Sequence, residues 1–179
     1  MRARALLLFA ALPLAACAMR PEAATATDCP IANVSLAATL RALPGTPSVS
    51  ESQARDPDSG EPILRTALVH PDATRIVVEQ QNCAIENLRV SLAAPQPRDD
   101  AQVQRLVETL TATPLWRRHY AASDARAAIA AALPGASAGT PVPLDLPPAS
   151  GEVSDALLTL EGAPGSAPTG LTLSLSVGG

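Results

Sequence analysis

The segment LTLSLSV, residues 171–177, alternates a large apolar side chain with a threonine or serine along its whole length. Successive side chains of a β-strand point to opposite faces, so one face of this segment is apolar and the other is polar. That pattern is typical of an antiparallel sheet with one face packed on the core and one face in water. We therefore expect the segment to be a strand of such a sheet.

Other parts of the chain carry the same strand signals. The predicted strands are 63–70, 74–81, 86–93 and 153–161. Short turns separate the first three of them, and short connections join antiparallel neighbours, so we expect a meander. In the segment 86–93, Leu88, Val90 and Leu92 alternate with polar residues, which again indicates one buried face.

A repeated sequence indicates one more strand. The segments CPIANVSLAA at 29–38 and CAIENLRVSLAA at 83–94 share Cys-x-Ile-x-Asn and then Val-Ser-Leu-Ala-Ala, with an offset of two residues. An even offset keeps the same side chains on the inward face of a strand. The repeat therefore predicts a strand over 34–40 in the same sheet, although the leucines at 36, 40 and 43 also suit a short helix.

Two helices are predicted between the two groups of strands. Asp99 or Asp100 can cap the first helix. Its apolar stripe follows the spacing i, i+3, i+4, i+7 through Val103, Leu106, Val107 and Leu110. The second helix begins with Thr113 as N-cap and Pro114 as the first helical residue, because that position does not need a donor. A second cap is available at Ser123, and the Pro-Gly pair at 134–135 ends the helix.

Trp116 and Tyr120 are the only aromatic residues besides Phe9. They lie four residues apart on one face of the second predicted helix. Aromatic side chains are favoured anchors at protein interfaces, which makes this pair the candidate contact with a partner protein. The alternative is that the two side chains pack the helix onto the sheet.

Two long segments rich in Pro, Gly and Ser, 44–62 and 134–151, are predicted loops. The second contains VPLDLPP, whose leucines can dock on the surface in an extended conformation. The expected fold class is α+β, with an antiparallel sheet of four to five strands and two helices on one face. We expect a single globular domain over 29–179.

The N-terminus has the layout of a secretory signal. Arg2 and Arg4 precede an apolar stretch over 5–16. As a helix this stretch rises about 18 Å, which is short of a hydrocarbon core of about 30 Å. We interpret 1–16 as the signal peptide and 17–28, which is rich in Ala and Thr, as a flexible tether. The tether extends to at most about 40 Å.

The motif Leu14-Ala15-Ala16-Cys17 resembles the lipobox of bacterial lipoproteins. The resemblance implies cleavage by signal peptidase II before Cys17, lipidation of its thiol and N-acylation, so that acyl chains such as palmitate attach the protein to a membrane. Ala18 after the cysteine implies sorting to the outer membrane, facing the periplasm. Ordinary cleavage after Ala18 is the alternative, because Ala16-Cys17-Ala18 also has the small-x-small pattern.

Two cysteines remain after Cys17. In an exported protein the even pair Cys29 and Cys83 predicts a disulfide, with two buried free thiols as the alternative. Together with the two histidines, His70 and His119, these cysteines form no recognisable metal-ligand pattern. We therefore expect no metal and no other cofactor.

The mature chain is acidic. Without residues 1–16, eleven arginines oppose seventeen Asp and Glu, no lysine is present, and the formal charge is −6. We expect no nucleic-acid partner, because such binding needs a basic surface and commonly aromatic stacking. Anionic lipid headgroups also repel an acidic surface, which leaves the acyl anchor at Cys17 as the expected membrane attachment.

Few groups are suited to catalysis. The sequence has no Gly-rich phosphate loop, no His-Glu-x-x-His and no Gly-x-Ser-x-Gly. His119, in the segment WRRHY, is the candidate general base or anion site, but no nucleophile motif accompanies it, and a solvated helix face is the simpler interpretation. We predict no catalytic residue and do not expect an enzyme.

The expected layout loosely resembles the small outer-membrane lipoproteins that scaffold envelope assembly, the lipopolysaccharide-assembly lipoprotein among them. The resemblance implies a non-enzymatic, lipid-anchored structural or assembly protein whose partner is an envelope protein. A periplasmic ligand-binding module, or an inhibitor of an incoming hydrolase, is the alternative, and it would use the long loops.

Overall fold

A computed structural model describes residues 29, 31–45, 47–93, 100–147, 153–162 and 170–177. The described residues form one antiparallel sheet of seven strands together with four α-helices. The mixed class with an antiparallel sheet is confirmed, whereas the prediction of four to five strands and two helices was too low. The predicted signal peptide and tether, with Cys17, lie outside the described residues.

The strands follow each other along the chain as β1 (Ser48–Arg55), β2 (Pro62–Val69), β3 (Arg75–Asn82), β4 (Glu86–Ala93), β5 (Val142–Pro143), β6 (Val153–Glu161) and β7 (Gly170–Val177). Their order in the sheet is β1-β2-β3-β4-β7-β6-β5, and all neighbours are antiparallel. The five strands predicted from alternation or apolar content agree with β2, β3, β4, β6 and β7 to within one residue.

The alternation in β7 decides which face of the sheet is buried. Leu171, Leu173 and Leu175 are at most 1% exposed. Their cross-strand partners on β4 are also buried: Leu92, Val90 and Leu88. The opposite face carries the polar positions, where the hydroxyl oxygens of Ser91 and Thr172 lie 2.9 Å apart. Each fully buried leucine contributes about 1.5–3 kcal/mol, so the apolar face drives folding.

The helices pack on this apolar face. They are α1 (Ala37–Arg41), α2 (Asp100–Ala112), α3 (Pro114–His119) and α4 (Ala122–Ala132), and a 3-10 turn follows α4 at Leu133–Gly135. Leu40 of α1, Leu110 of α2 and Ile129 of α4 are buried in the same core as the strand leucines. The sheet and the helices therefore share one hydrophobic core.

The second predicted helix is two helices. Thr113 and Pro114 start α3 as predicted, and the Trp116 N–H donates to Thr113 Oγ1 at 3.4 Å. The chain then becomes extended at Tyr120 and Ala121, which separates α3 from α4. Ser123 does not cap α4. It lies in the first turn, and the Asp124 carboxylate accepts the Ala121 N–H at 3.1 Å.

The predicted loop over 44–62 contains strand β1. Its sequence, SVSESQAR, has one large apolar residue, so it lacks the alternation that identifies a half-buried strand. All eight residues nevertheless pair with β2, from Ser48 opposite Val69 to Arg55 opposite Pro62. Backbone pairing with a neighbour defines this strand, and a neighbour's position cannot be inferred from local composition.

The strand predicted over 34–40 was wrong, and the short helix weighed beside it is present. The Leu40 N–H donates to the Leu36 carbonyl oxygen at 2.9 Å, and both side chains are buried. The repeated sequence is therefore helical at α1 and extended in β4, so the repeat does not predict a common conformation. Burial of leucines four residues apart on one side of α1 outweighs the β-propensity of this stretch.

The predicted loop over 134–151 contains short elements. The 3-10 turn occupies its start, Ala138 forms an isolated bridge with Leu160, and β5 follows. Leu144 is buried and Leu146 is half-buried against the core, in agreement with the docking of leucines expected for VPLDLPP. Residues 148–152 lie outside the described residues.

Candidate interaction surface

The described chain begins at Cys29, whose sulfur lies at disulfide distance from that of Cys83 in the turn between β3 and β4. The two Cα atoms are 4.3 Å apart, although the residues are separated by 54 positions in the sequence. This is the pairing that the sequence predicts. It holds Cys29, the residue that follows the predicted tether, at one end of the sheet.

Hydrogen bonds fasten the segment between Cys29 and α1 to the sheet. Asn33 accepts the Asn82 N–H at 3.0 Å and donates to the Pro62 carbonyl at 2.9 Å. The Gln80 side chain donates to the Val34 carbonyl at 2.7 Å and accepts the Val34 N–H at 3.4 Å. The chain therefore follows a defined path from the disulfide to α1, across the ends of β2 and β3.

Glu51 of β1 caps α1. Its Oε1 accepts the N–H groups of Leu36 and Ala37 at 3.0 and 3.2 Å and the Thr66 hydroxyl at 3.0 Å. Its Oε2 accepts the Ser35 hydroxyl at 2.7 Å. Partial desolvation alone would raise the pKa of Glu51, but these four hydrogen bonds to the ionised form lower it overall. An acidic side chain from a strand thus supplies the cap that the helix sequence lacks.

The turn after β1 shows where the backbone of this strand points. The Asp56 N–H donates to the Glu61 carbonyl at 2.9 Å, so the even-numbered residues of β1 direct their backbone groups toward β2. The odd-numbered residues direct theirs away from the sheet: Val49, Glu51, Gln53 and Arg55. No other described residue pairs with these outward groups. We call this row of unpaired groups, along the eight residues of the strand, the β1 edge.

The opposite edge of the sheet, the β5 edge, is built differently. β5 has two residues, Val142 and Pro143. The Leu144 N–H donates inward to the Ala156 carbonyl at 2.8 Å, so the backbone nitrogen of Pro143 faces outward. Proline has no donor at that position, and a short strand with an outward proline is a common protection of an edge.

Two open grooves adjoin these elements. A groove of about 590 Å³ lies between the N-terminal segment and β1–β2, and residues 29, 31–33, 53–55 and 62–64 line it. Arg55 is the charged side chain among these described lining residues. A second groove of about 670 Å³ lies between α2 and α4, and the buried Val107 and Ile129 are among the residues that line it.

The aromatic pair belongs to the core side of the molecule. Trp116 is 1% exposed, and its Nε1 donates to the Ala121 carbonyl at 3.3 Å. Its ring centroid lies 4.9 Å from that of Tyr120, which is half-buried, and burial raises the pKa of the Tyr120 hydroxyl. The indole therefore packs within the helix layer, and the contact of this aromatic pair with a partner protein stays a prediction.

The two histidines occupy different environments. His119, the candidate general base, is half-buried at the end of α3 with its ring 6.5 Å from that of Tyr120. His70, the last residue of the predicted strand 63–70, is 3% exposed, and neither ring nitrogen has a hydrogen-bond partner among the described residues. Desolvation lowers the pKa of His70, and the nearby Arg105 lowers it further. The sequence gives no signal for this burial.

Arg105 connects α2 to the turn between β2 and β3. Its guanidinium forms an ion pair with Asp72 and lies 3.3 Å from the Thr74 hydroxyl. The hydrogen bond from Arg105 lowers the pKa of Asp72 to about 2. These charges are engaged in holding the turn against the helix.

Within the described ranges, no group of three or more His, Cys, Asp or Glu is placed to hold a metal ion. In that same part of the chain, no helix combines the length and the apolar character needed to cross a bilayer. Comparison with protein-family models, with curated protein sequences and with solved structures finds no match for this chain.

Proposed function

We propose that this chain is a lipid-anchored, non-enzymatic protein of the bacterial outer membrane, faces the periplasm, and acts as a structural or assembly partner of an envelope protein. The lipobox-like motif ending at Cys17 supports the anchor. The β1 edge supports the partner and is the observation on which the proposal depends, because a chain with unpaired strand groups can add to an exposed edge of this kind.

The position of Cys29 also supports this function. Cys29, where the described chain begins, lines the same groove as Arg55 at the end of the β1 edge. A tether that extends to at most about 40 Å keeps this end of the sheet near the membrane. An envelope protein at the membrane surface would therefore meet the β1 edge.

The anchor is tested with Cys17→Ser in a bacterial host. The wild-type protein is expected to incorporate labelled palmitate and to fractionate with the outer membrane. The variant is expected to carry no label and to leave that fraction, because the acylated thiol is missing. An unlabelled wild-type protein, or a variant that stays equally attached, contradicts the proposal.

The partner site is tested with a photo-activated amino acid in place of Gln53, and with the same replacement of Pro143 at the β5 edge as the matched control. Illumination of intact cells is expected to give a stoichiometric protein adduct from position 53 and none from position 143. Equal adducts from both positions, or no adduct from position 53, contradict a role for the β1 edge.

The groove of about 590 Å³ favours the second candidate function, a periplasmic ligand-binding module or hydrolase inhibitor. Native mass spectrometry of the protein released gently from envelopes distinguishes the two. A retained small molecule, lost after Arg55→Ala, would favour ligand binding. The assembly function predicts the mass of the acylated mature chain without a bound small molecule.

A further inference from the structure

We infer that the partner at the β1 edge is a second copy of this chain, which pairs β1 with β1 in antiparallel register about a two-fold axis at Gln53. The inference rests on the proposed function, because it uses the β1 edge as the binding site and the acyl anchor to concentrate the copies. A symmetric pair of this kind places the same surface on both sides of the interface.

The backbone of β1 is arranged for such a pair. Its outward N–H and C=O groups belong to odd-numbered residues, so a partner strand must also present odd-numbered residues to meet them. With the axis at Gln53, this residue faces Gln53 of the second copy, and Glu51 faces Arg55 of the second copy. Each facing pair exchanges two backbone hydrogen bonds, which gives about six across the interface.

Several registers pair the outward N–H and C=O groups of the two strands, and the charges of the side chains favour the one with its axis at Gln53. An axis at Glu51 would set two carboxylates directly opposite each other, which is destabilising. An axis at Ser52 would set Glu51 opposite the neutral Gln53. The axis at Gln53 brings each Glu51 opposite an Arg55, and both side chains lie on the same face of the strand and are exposed. The charge order of β1 is therefore complementary to itself.

The remaining edges explain why the assembly would end at two copies. Pairing of the two β1 edges makes one continuous sheet whose outer strands are both β5. Each of these carries the outward Pro143, which lacks the donor that a further strand would need. On the polar face, Ser52 meets Ala54 of the second copy, and these small side chains leave room for close approach of the strands.

Confinement to the membrane favours dimerisation, because the contact area of two edge strands is too small to give a stable dimer by itself. A pair of edge strands buries less than the roughly 1,600 Å² of a standard stable interface. Two copies held at one membrane by short tethers face each other at a raised effective concentration, which strengthens a weak contact without adding any new one. We therefore expect dimers of the anchored protein and largely monomers of the protein released from the membrane.

The test uses the full acylated chain in phosphatidylcholine vesicles, with donor and acceptor dyes on a C-terminal tag. Gln53→Pro removes one outward donor per copy and leaves the β1–β2 hydrogen bonds in place, so dimerisation is expected to weaken at least tenfold. Gln53→Ala is the matched control and is expected to remain within twofold of the wild type. Circular dichroism and thermal unfolding show whether each variant is folded.

A charge exchange at the axis tests the register. Gln53→Lys and Gln53→Glu each set two like charges opposite each other, so each variant alone is expected to lose energy transfer. A mixture of the two is expected to recover it, since Lys then faces Glu. Recovery in the mixture is an effect that a merely unfolded variant cannot produce.

Two results would overturn the inference. Wild-type energy transfer in folded Gln53→Pro would show that the copies meet elsewhere, and absence of transfer in the wild type would show that they do not meet. The proposed function would still stand after either result if the photo-adduct from position 53 has the mass of a different protein. Loss of membrane attachment in the wild type, by contrast, would remove the proposed function and this inference together.

Discussion

The two edges of the sheet are protected to different degrees. The β5 edge is two residues long and turns a proline outward, whereas the β1 edge is eight residues long and turns unpaired backbone groups outward. Natural proteins commonly shorten, charge or cover their edges because an open edge pairs with other chains. A long open edge beside a short closed one therefore marks the side of the molecule where association is tolerated or used.

The β1 side is also fastened more elaborately than the β5 side. The disulfide of Cys29 and Cys83 and the hydrogen bonds of Asn33 hold the N-terminal segment beside β1 and β2. Glu51 then ties β1 to α1. At the β5 side, Leu144 packs into the core directly after the short strand. The contrast predicts that covalent and polar contacts add to apolar burial in stabilising the first side, whereas the second side depends on apolar burial.

The largest effect is expected from removal of the disulfide with Cys29→Ala and Cys83→Ala together. Closure of a loop with a sequence separation of 54 stabilises the fold by about 4 kcal/mol in the chain-entropy model. Urea unfolding of the variant and of the wild type measures the loss. Reduction of the wild-type protein with dithiothreitol should reproduce it, and a loss below about 1 kcal/mol would show that polar contacts alone hold the β1 side.

A smaller difference is expected between two core leucines, one on each side. Leu40 of α1 is fully buried, and Leu40→Ala should cost about 3 kcal/mol. Leu144 lies in an extended segment after β5, which can collapse onto the cavity, so Leu144→Ala should cost about 2 kcal/mol. Thermal and urea unfolding measure both values. A larger loss of unfolding free energy in Leu144→Ala than in Leu40→Ala would contradict this prediction.

Glu51→Ala should destabilise the protein by about 1 kcal/mol at neutral pH, the typical cost of a lost helix cap. The pKa of Glu51 in the folded state is lowered from its ordinary value of 4.5 by the hydrogen bonds to its ionised form, so its stabilising effect is complete above about pH 4.5. It is lost as the pH falls through the folded pKa. The difference between wild type and variant in urea unfolding should therefore shrink from pH 7 to pH 3.

Asp56 and Asp72 also have lowered pKa values and contribute to acid unfolding. They are present in both proteins, so the comparison of wild type with Glu51→Ala isolates the contribution of Glu51. A difference that stays constant from pH 7 to pH 3 would contradict the role of the ionised carboxylate as the cap.

The smallest change in stability, within about 0.5 kcal/mol, is expected for Pro143→Thr at the β5 edge. The substitution restores an outward N–H without altering the inward bond of Leu144 to Ala156. Its effect should appear in association instead, as species of more than two copies when the acylated protein in phosphatidylcholine vesicles is chemically cross-linked. Cross-linked species that match those of the wild type would show that the proline is not what protects this edge.

The elements that the sequence predicts correctly are those in which the pattern of their own residues indicates the buried face or the start of the element. β7 and β4 alternate leucine or valine with polar residues, and Thr113-Pro114 carries a helix start in two positions. The residues of β1 and α1 carry no such pattern. β1 has few apolar residues, and it is a strand because its backbone pairs with β2. The N-terminal cap of α1 comes from Glu51, which belongs to another element.

The candidate surface shows the same division. The sequence predicts the pairing of Cys29 with Cys83 from the even count of cysteines that remains after Cys17, and the two sulfurs lie at disulfide distance. The β1 edge lies in a segment predicted as a loop, and Trp116, the sequence-derived contact, is buried. Partner surfaces of this kind depend on which strand is left without a neighbour, and composition alone does not contain that information.

By itself, the sequence determined the mixed fold class, five strands, the buried faces of β4 and β7, the start of α3 and the cysteine pairing, because each follows from a local pattern or a count. Only the tertiary structure decided that β7 lies between β4 and β6, that β1 and β5 form the two edges, and that Glu51 caps α1. These features depend on pairing between residues far apart in the chain, whose free energy no local period encodes.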